Sequence, residues 1–155
     1  MLTDAQSQFL KNFKGATWFP VNAAYRIEAQ FQPAEVSGNV TMQRTDGSSM
    51  TFQAAGDLVF ELAGQKLRLQ AFILPGTKSL FVPFRDATSG KETYGGGRFL
   101  EADLPKGGRT ILDFNKAYNP YCAYSPYAIC PIVPRENRLS VAIRAGETLE
   151  GASKH

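Results

Sequence analysis

The sequence predicts a mainly β protein: a single antiparallel β-barrel or sandwich-like domain with a short N-terminal helix and long ordered loops. Apolar and polar residues alternate through most of the first two thirds of the chain, which is the period of half-buried strands. Turn residues separate these runs, and no helices alternate with them as in a parallel α/β sheet. The length of 155 residues is typical of one domain. We expect helix 3–14, a β core over 22–147 and a short tail over 148–155.

The N-terminal helix is predicted from its end signals. Thr3 or Asp4 can cap its start, and Gly15 can end it. Trp18, which follows, is expected to fill part of the core, because large aromatic side chains dominate core burial.

The strands are expected wherever the two-residue period persists. Asp46-Gly47 predicts a type I′ hairpin turn, and Ala63-Gly64 predicts a second turn between alternating runs. The expected strand segments are 25–31, 40–42, 50–52, 58–62, 67–73, 80–84, 98–104, 109–114 and 139–144.

The composition argues against several classes of function. The net charge of +3 is mild and forms no basic stripe, so we expect no nucleic-acid partner. No apolar run reaches the roughly 20 residues of a membrane span. The first residues lack the pattern of a signal peptide, which predicts a cytoplasmic protein as written, or a cell-envelope protein if a leader was removed. The oligomeric state is left open.

The single histidine is His155, the last residue, which excludes Ser-His-Asp and Cys-His catalysis within the fold. Cys122 and Cys130 lie eight positions apart. They are compatible with a disulfide in an oxidising compartment and with two free thiols in the cytoplasm. Zinc is not expected, because four ligands are usual and no histidine is near. We predict no metal and no cofactor.

A first polar string, residues 83–98, combines charged groups with hydroxyls and has three consecutive glycines directly before Arg98. Arginine suits carboxylates and phosphates, and glycines let a backbone approach a ligand. The alternative is structural, with Arg98 paired to Asp86 or Glu92.

A second polar string, residues 113–138, has little periodicity, and its tyrosines can form apolar walls with polar tips. Asp113 and Asn115 share a face if their strand persists. The alternatives are an Asx-capped turn packed by tyrosines, and pairing of Glu136 with Arg98 or Arg138.

The leading hypothesis is a small-molecule-binding domain whose pocket, formed where the two strings meet, takes a small polar or anionic molecule. Arg85 or Arg98 would hold the anionic group. The candidate ligand-binding residues are Arg85, Thr88, Glu92, Arg98, Asn115, Asn119, Cys122, Glu136 and Asn137.

Two alternatives remain. An enzyme of the hydrolase, lyase or isomerase class would use Asp86 or Asp113 as base and Tyr94 or Tyr124 as acid. A protein-interaction module would dock through the loop 115–137.

Three strings carry a resemblance to a known family: WFPVNAAYRI at 18–27, PFRDATSGKETYGGGRFL at 83–100 and LDFNKAYNPYCAYSPYAICPIVPRENRLSVAIRAGE at 112–147. The chain resembles the bacterial and archaeal family of domains of unknown function number 1684 over residues 9–147. The resemblance implies that the polar strings belong together, and it implies no activity.

Overall fold

The structure, a computed structural model, describes residues 16–34, 38–73, 76–125 and 127–149. The predicted helix 3–14 lies outside the described residues. Six antiparallel strands form a nearly closed β-barrel in the order β7-β6-β5-β4-β2-β8, and β3 pairs with β4. The strands are β1 Ala16–Trp18, β2 Arg26–Pro33, β3 Asn39–Gln43, β4 Ser49–Leu62, β5 Gln65–Ile73, β6 Ser79–Phe84, β7 Arg98–Asp103, β8 Arg109–Asp113 and β9 Glu147–Leu149.

The helical turns in the described part of the chain are single 3₁₀ turns. They span Ala23–Tyr25, Phe114–Lys116, Tyr121–Ala123 and Arg135–Asn137. Within that part, no helix is long and apolar enough to cross a membrane.

The alternating pattern divides the strands into an inner and an outer face. The inner core cluster takes residues from all six barrel strands, including Leu58, Leu69 and Leu80, none of which is exposed. Phe81, the neighbour of Leu80, points to the opposite face. There it belongs to an aromatic cluster and stacks on Phe52 at a ring distance of 5.6 Å. The prediction of a mainly β fold with a barrel-like sheet is therefore confirmed.

The type I′ turn lies at the second predicted hairpin rather than the first. Ala63 and Gly64 both have positive φ, 53° and 76°, as a type I′ turn requires. In the Asp46-Gly47 turn Gly47 has φ +87°, whereas Asp46 is not in the positive region. The longer loop between Gln43 and Ser49 explains the difference, since it needs a left-handed residue only at its glycine.

The predicted strand 139–144 is wrong. The segment is extended but forms no ladder with a barrel strand. Two isolated backbone bonds join it to the loop after β6: the Leu139 N–H donates to the Arg85 carbonyl, and the Ala87 N–H donates to the Val141 carbonyl. At Ile143 side chains take the backbone groups: its N–H donates to Asp86 Oδ2 at 2.6 Å, and its carbonyl accepts from Arg98. The last strand, β9, follows at Glu147–Leu149 and so includes the first two residues of the expected tail.

Trp18 does not fill the core. It lies on β1, which pairs with β9 in a two-stranded sheet separate from the barrel sheet, and its side chain is 52% exposed. A two-stranded ribbon has no second layer to cover a large side chain.

Candidate functional site

Arg98 and Asp86, two predicted site residues, form a buried ion pair. Neither side chain is exposed, and Arg98 Nη2 lies 3.5 Å from Asp86 Oδ1. The guanidinium also donates to the carbonyl oxygens of Ile143, at 2.9 Å, and Ala145. Burial lowers the pKa of Arg98, and the charge of Asp86 opposes that shift. This is the structural pairing that the sequence left open beside anion binding.

The Asp86 carboxylate is surrounded by donors from its own loop. The Thr88 hydroxyl lies 3.0 and 2.9 Å from its two oxygens. That hydroxyl is also 3.0 Å from the Thr93 hydroxyl, and the Thr88 carbonyl accepts from the Thr93 N–H at 3.1 Å. Thr88 therefore holds the loop closed around a carboxylate that faces the interior.

A second buried carboxylate, Glu147, was not predicted from the sequence. Its oxygens accept from the Asn119 N–H at 2.8 Å and from the Tyr124 hydroxyl. Burial raises the pKa of Glu147, against the opposing effects of the Asn119 N–H and the charge of Arg98. In the sequence, Glu147 could have been singled out only by its position, as the last residue of the long string 112–147.

The Asn137 side chain links β5 and β6 beside the point where the direct pairing of these two strands ends. Among the described residues, β5 and β6 pair only at Phe72↔Phe81 and Ile73↔Leu80. Next to this opening, the Asn137 amide accepts from the Gln70 N–H at 2.8 Å and donates to the Gln70 carbonyl at 3.0 Å and the Pro83 carbonyl at 2.7 Å. The side chain acts as a short piece of strand, and it is fully buried.

Asp113 and Asn115 form a separate cluster. The strand ends at Asp113, whose side chain accepts from the Asn115 N–H at 3.1 Å. The Asn115 amide donates to the Asn22 carbonyl at 2.9 Å. These bonds do not reach Asp86 or Arg98, so the two groups of predicted residues are held apart.

The remaining charged candidates lie near the surface or interact through their backbone. The backbone carbonyl of Arg85 accepts a hydrogen bond from the Leu139 N–H at 2.7 Å. Glu92 forms an exposed ion pair with Arg144, with 3.2 Å between Oε2 and Nε. Glu136 lies exposed in the last 3₁₀ turn.

An open pocket of about 410 Å³ lies where the two polar strings meet the turn between β3 and β4; we name it the Tyr94 pocket. Tyr94 comes from the first string and Cys122 from the second, and both were predicted site residues. The lining residues are Thr45, Asp46, Tyr94, Cys122, Ser125, Tyr127, Ala128 and Ile129.

Hydrogen bonds between the β3–β4 turn and the second polar string join the two sides of the Tyr94 pocket. The Thr45 N–H donates to the Cys130 carbonyl at 3.0 Å, and the Cys130 N–H donates to the Thr45 hydroxyl at 3.3 Å. The Ile132 N–H donates to the Gln43 carbonyl at 2.8 Å. These bonds join the loop at Cys130 and Ile132 to the turn.

The polar groups of the Tyr94 pocket include one charged side chain. Asp46 accepts from the Ser48 N–H at 2.9 Å and the Ser48 hydroxyl at 2.5 Å, and these bonds lower its pKa. Burial raises the pKa of Tyr94, whose phenol stays neutral. Tyr127 and Ile129 form an apolar rim, 91% and 53% exposed. The charged lining side chain is therefore a carboxylate, and the rim is apolar.

A second groove, of about 330 Å³, lies beside the bulge of β4. Its polar groups are bonded to one another: Arg68 donates to Asp57 at 3.0 Å and to Gln32 at 3.2 Å. It holds none of the predicted site residues. Within the described ranges, no three His, Cys, Asp or Glu side chains lie together as a metal site would need.

The comparisons with known proteins assign a family and no activity. The model of the family described as protein of unknown function (DUF1684) matches residues 11–148. The structure is similar to the solution NMR structure of the uncharacterized protein from gene locus rrnAC0354 of Haloarcula marismortui. That match has a TM-score of 0.75 and 34% identity, and covers 97% of this chain and 83% of the other. No curated protein matches the chain.

Proposed function

The chain belongs to the DUF1684 family of proteins of unknown function, and from this premise we propose that it binds a small polar molecule in the Tyr94 pocket. The observation that carries the proposal is the convergence at one pocket of the two polar strings. Tyr94 and Cys122 line the same pocket of about 410 Å³ although 28 positions separate them in the sequence. Pockets of this size suit small ligands.

The charge of the pocket determines the class of ligand. Asp46 carries a negative charge near neutral pH, and none of the lining residues is a lysine or arginine. Arg85 and Arg98, the arginines expected to hold an anion, do not line the Tyr94 pocket. Arg98 is fully buried against Asp86. The sequence predicted a polar or anionic ligand. The lining residues instead favour a polar ligand that is neutral or positively charged.

The lining groups give such a ligand both hydrogen bonds and apolar contact. The hydroxyls of Thr45 and Ser125 can donate or accept, and the Asp46 carboxylate accepts. The exposed ring of Tyr127 offers an apolar face that also attracts a cation. An amine or alcohol carried on a small apolar body fits this set.

The positions of the predicted bases favour binding over catalysis. Asp86 is buried and bonded to Thr88 and Ile143, and the Asp113 side chain accepts from Asn115. Neither carboxylate lines the Tyr94 pocket. A reaction with either as its base would need a second site.

Protein NMR on the isotopically labelled chain tests the proposal. The probes are small amines, amides, sugars and carboxylates, each titrated separately. We expect amines or neutral polar probes to shift the amide signals of Thr45, Asp46 and Tyr94, and carboxylates to have little effect. Ala128→Trp should fill the pocket and abolish the shifts, while Arg144→Ala, at an exposed ion pair, should leave them unchanged.

Three results would overturn the proposal. Shifts confined to the groove of Arg68 and Asp57 would place binding at the other site. Equal shifts in Ala128→Trp would show that the Tyr94 pocket is not used. No response to any probe, combined with a protein partner retained by the loop 115–137, would favour the interaction module.

A further inference from the structure

The two cysteines contact each other at the wall of the Tyr94 pocket. The Cys122 N–H donates to Cys130 Sγ at 3.3 Å. Both are free thiols in this structure. The loop that separates them is tied to the turn between β3 and β4 through Thr45, whose hydroxyl lies 3.6 Å from Cys122 Sγ. The pair is therefore already close before any reaction.

The two thiols differ in their access to solvent. Cys122 is half-buried and lines the open pocket, whereas Cys130 is only 6% exposed. Burial raises the pKa of Cys130, because the apolar surroundings disfavour its thiolate. A reagent that enters the pocket meets Cys122 first, and Cys130 lies behind it.

We propose that Cys122 and Cys130 form a thiol–disulfide exchange site, at which Cys122 attacks a small-molecule disulfide and Cys130 resolves the product. The proposal does not depend on the ligand proposed above. The Cys122 thiolate forms a bond to one sulfur of the small disulfide, and that disulfide breaks to release one thiol. The Cys130 thiolate then attacks Cys122 Sγ and releases the second thiol. The chain loses two hydrogens, and the small disulfide is reduced to two thiols.

The surroundings of each thiol set the relative rates of the two steps. Cys122 Sγ donates to the Ala128 carbonyl at 3.1 Å. We expect the second step to be slow near neutral pH, because the buried Cys130 then forms thiolate only rarely. Below its pKa the thiolate fraction rises about tenfold per pH unit, and so should the rate of resolution.

Oxidised glutathione is the probe, and mass spectrometry of the intact chain is the readout. We expect wild-type protein to gain one glutathione and then to lose it, ending two hydrogens lighter than the reduced chain. Cys130→Ser should stop at the glutathione adduct. Cys122→Ser should react far more slowly, because its remaining thiol is buried.

Two results would contradict the thiol–disulfide exchange proposal. A Cys122→Ser variant that reacts as fast as wild type would overturn the assigned roles. A wild-type adduct that never resolves, even at raised pH, would show that the thiols do not exchange. If either variant fails to fold by circular dichroism, the wild-type time course decides alone, since it must show the adduct before the intramolecular disulfide.

Discussion

The Asp86 carboxylate lies 3.5 Å from the Arg98 guanidinium, in an ion pair of which neither side chain is exposed. Each partner also holds the backbone of Ile143, since Asp86 accepts its N–H and Arg98 donates to its carbonyl. The pair thus fixes an irregular segment against β7 without a strand ladder. It connects the first polar string to the last part of the chain.

The first prediction concerns this pair. Arg98→Met leaves the Asp86 charge buried without its partner, and breaking a buried pair in this way costs about 3–5 kcal/mol of stability. Urea unfolding followed by circular dichroism measures the loss. Arg144→Ala removes an exposed pair with Glu92 and should cost less than about 1 kcal/mol. Similar losses in both variants would contradict a structural role of the buried pair.

The second prediction concerns the amide that joins β5 and β6. Asn137→Ala leaves the Gln70 and Pro83 backbone groups without their partner, and we expect a loss of about 2–4 kcal/mol. Glu136→Ala, an exposed change at the neighbouring residue, should stay within about 0.5 kcal/mol. The same unfolding experiment compares them, and an unaffected Asn137→Ala would show that the opening is sealed without this amide.

The third prediction separates backbone strain from steric clash at a glycine. Gly97 and Gly64 both have positive φ, +99° and +76°, so alanine at either costs about 1–2 kcal/mol. At Gly97 the new Cβ would also lie 2.5 Å from the Phe84 carbonyl oxygen, whereas at Gly64 nothing lies within 4 Å. We expect Gly97→Ala to lose about 1–3 kcal/mol more than Gly64→Ala by chemical denaturation. Equal losses would mean that the chain beside Phe84 can move aside.

The fourth prediction concerns the pH dependence from Glu147. Burial raises its folded-state pKa above the ordinary value of 4.5. Between that value and the raised pKa, the folded chain keeps a proton that the unfolded chain has released. The free energy of unfolding contributed by Glu147 therefore falls as the pH rises through this range.

Glu147→Gln removes the titration while its side-chain oxygen can still accept from the Asn119 N–H. The free energy of unfolding of the variant, minus that of wild type, should therefore rise with pH from about 4.5 upward and then level off. Urea unfolding at a series of pH values measures this difference. A constant difference, or one that falls, would contradict the raised pKa.

The strands could be predicted because half-buried strands leave a local signal. Ala29, Leu58 and Leu80 face the core and alternate with polar or outer-face residues, so a short window of sequence contains the pattern. The structure of the segment at Ile143 could not be predicted from such a local pattern. Ile143 is also buried, but the hydrogen bonds of this segment are made with residues 85–87 and Arg98, which lie far away in sequence.

The candidate site shows the same limit. The residue types at Tyr94 and Cys122 pointed to a pocket, and both line one. The partner surface, Thr45 and Asp46, came from a turn that the sequence marked only as a hairpin signal. Which charged groups face outward depends on long-range pairing, and for this reason Arg98 was expected to hold a ligand although it is fully buried.

Native mass spectrometry of gently purified protein tests most directly the claim that the Tyr94 pocket binds a small molecule. We predict an added mass on the native wild-type ion that disappears on denaturation, that is lost in Ala128→Trp, and that remains in Arg144→Ala. An added mass of equal abundance in Ala128→Trp would contradict the claim, as would wild-type protein that stays bare when small amines and neutral polar molecules are supplied.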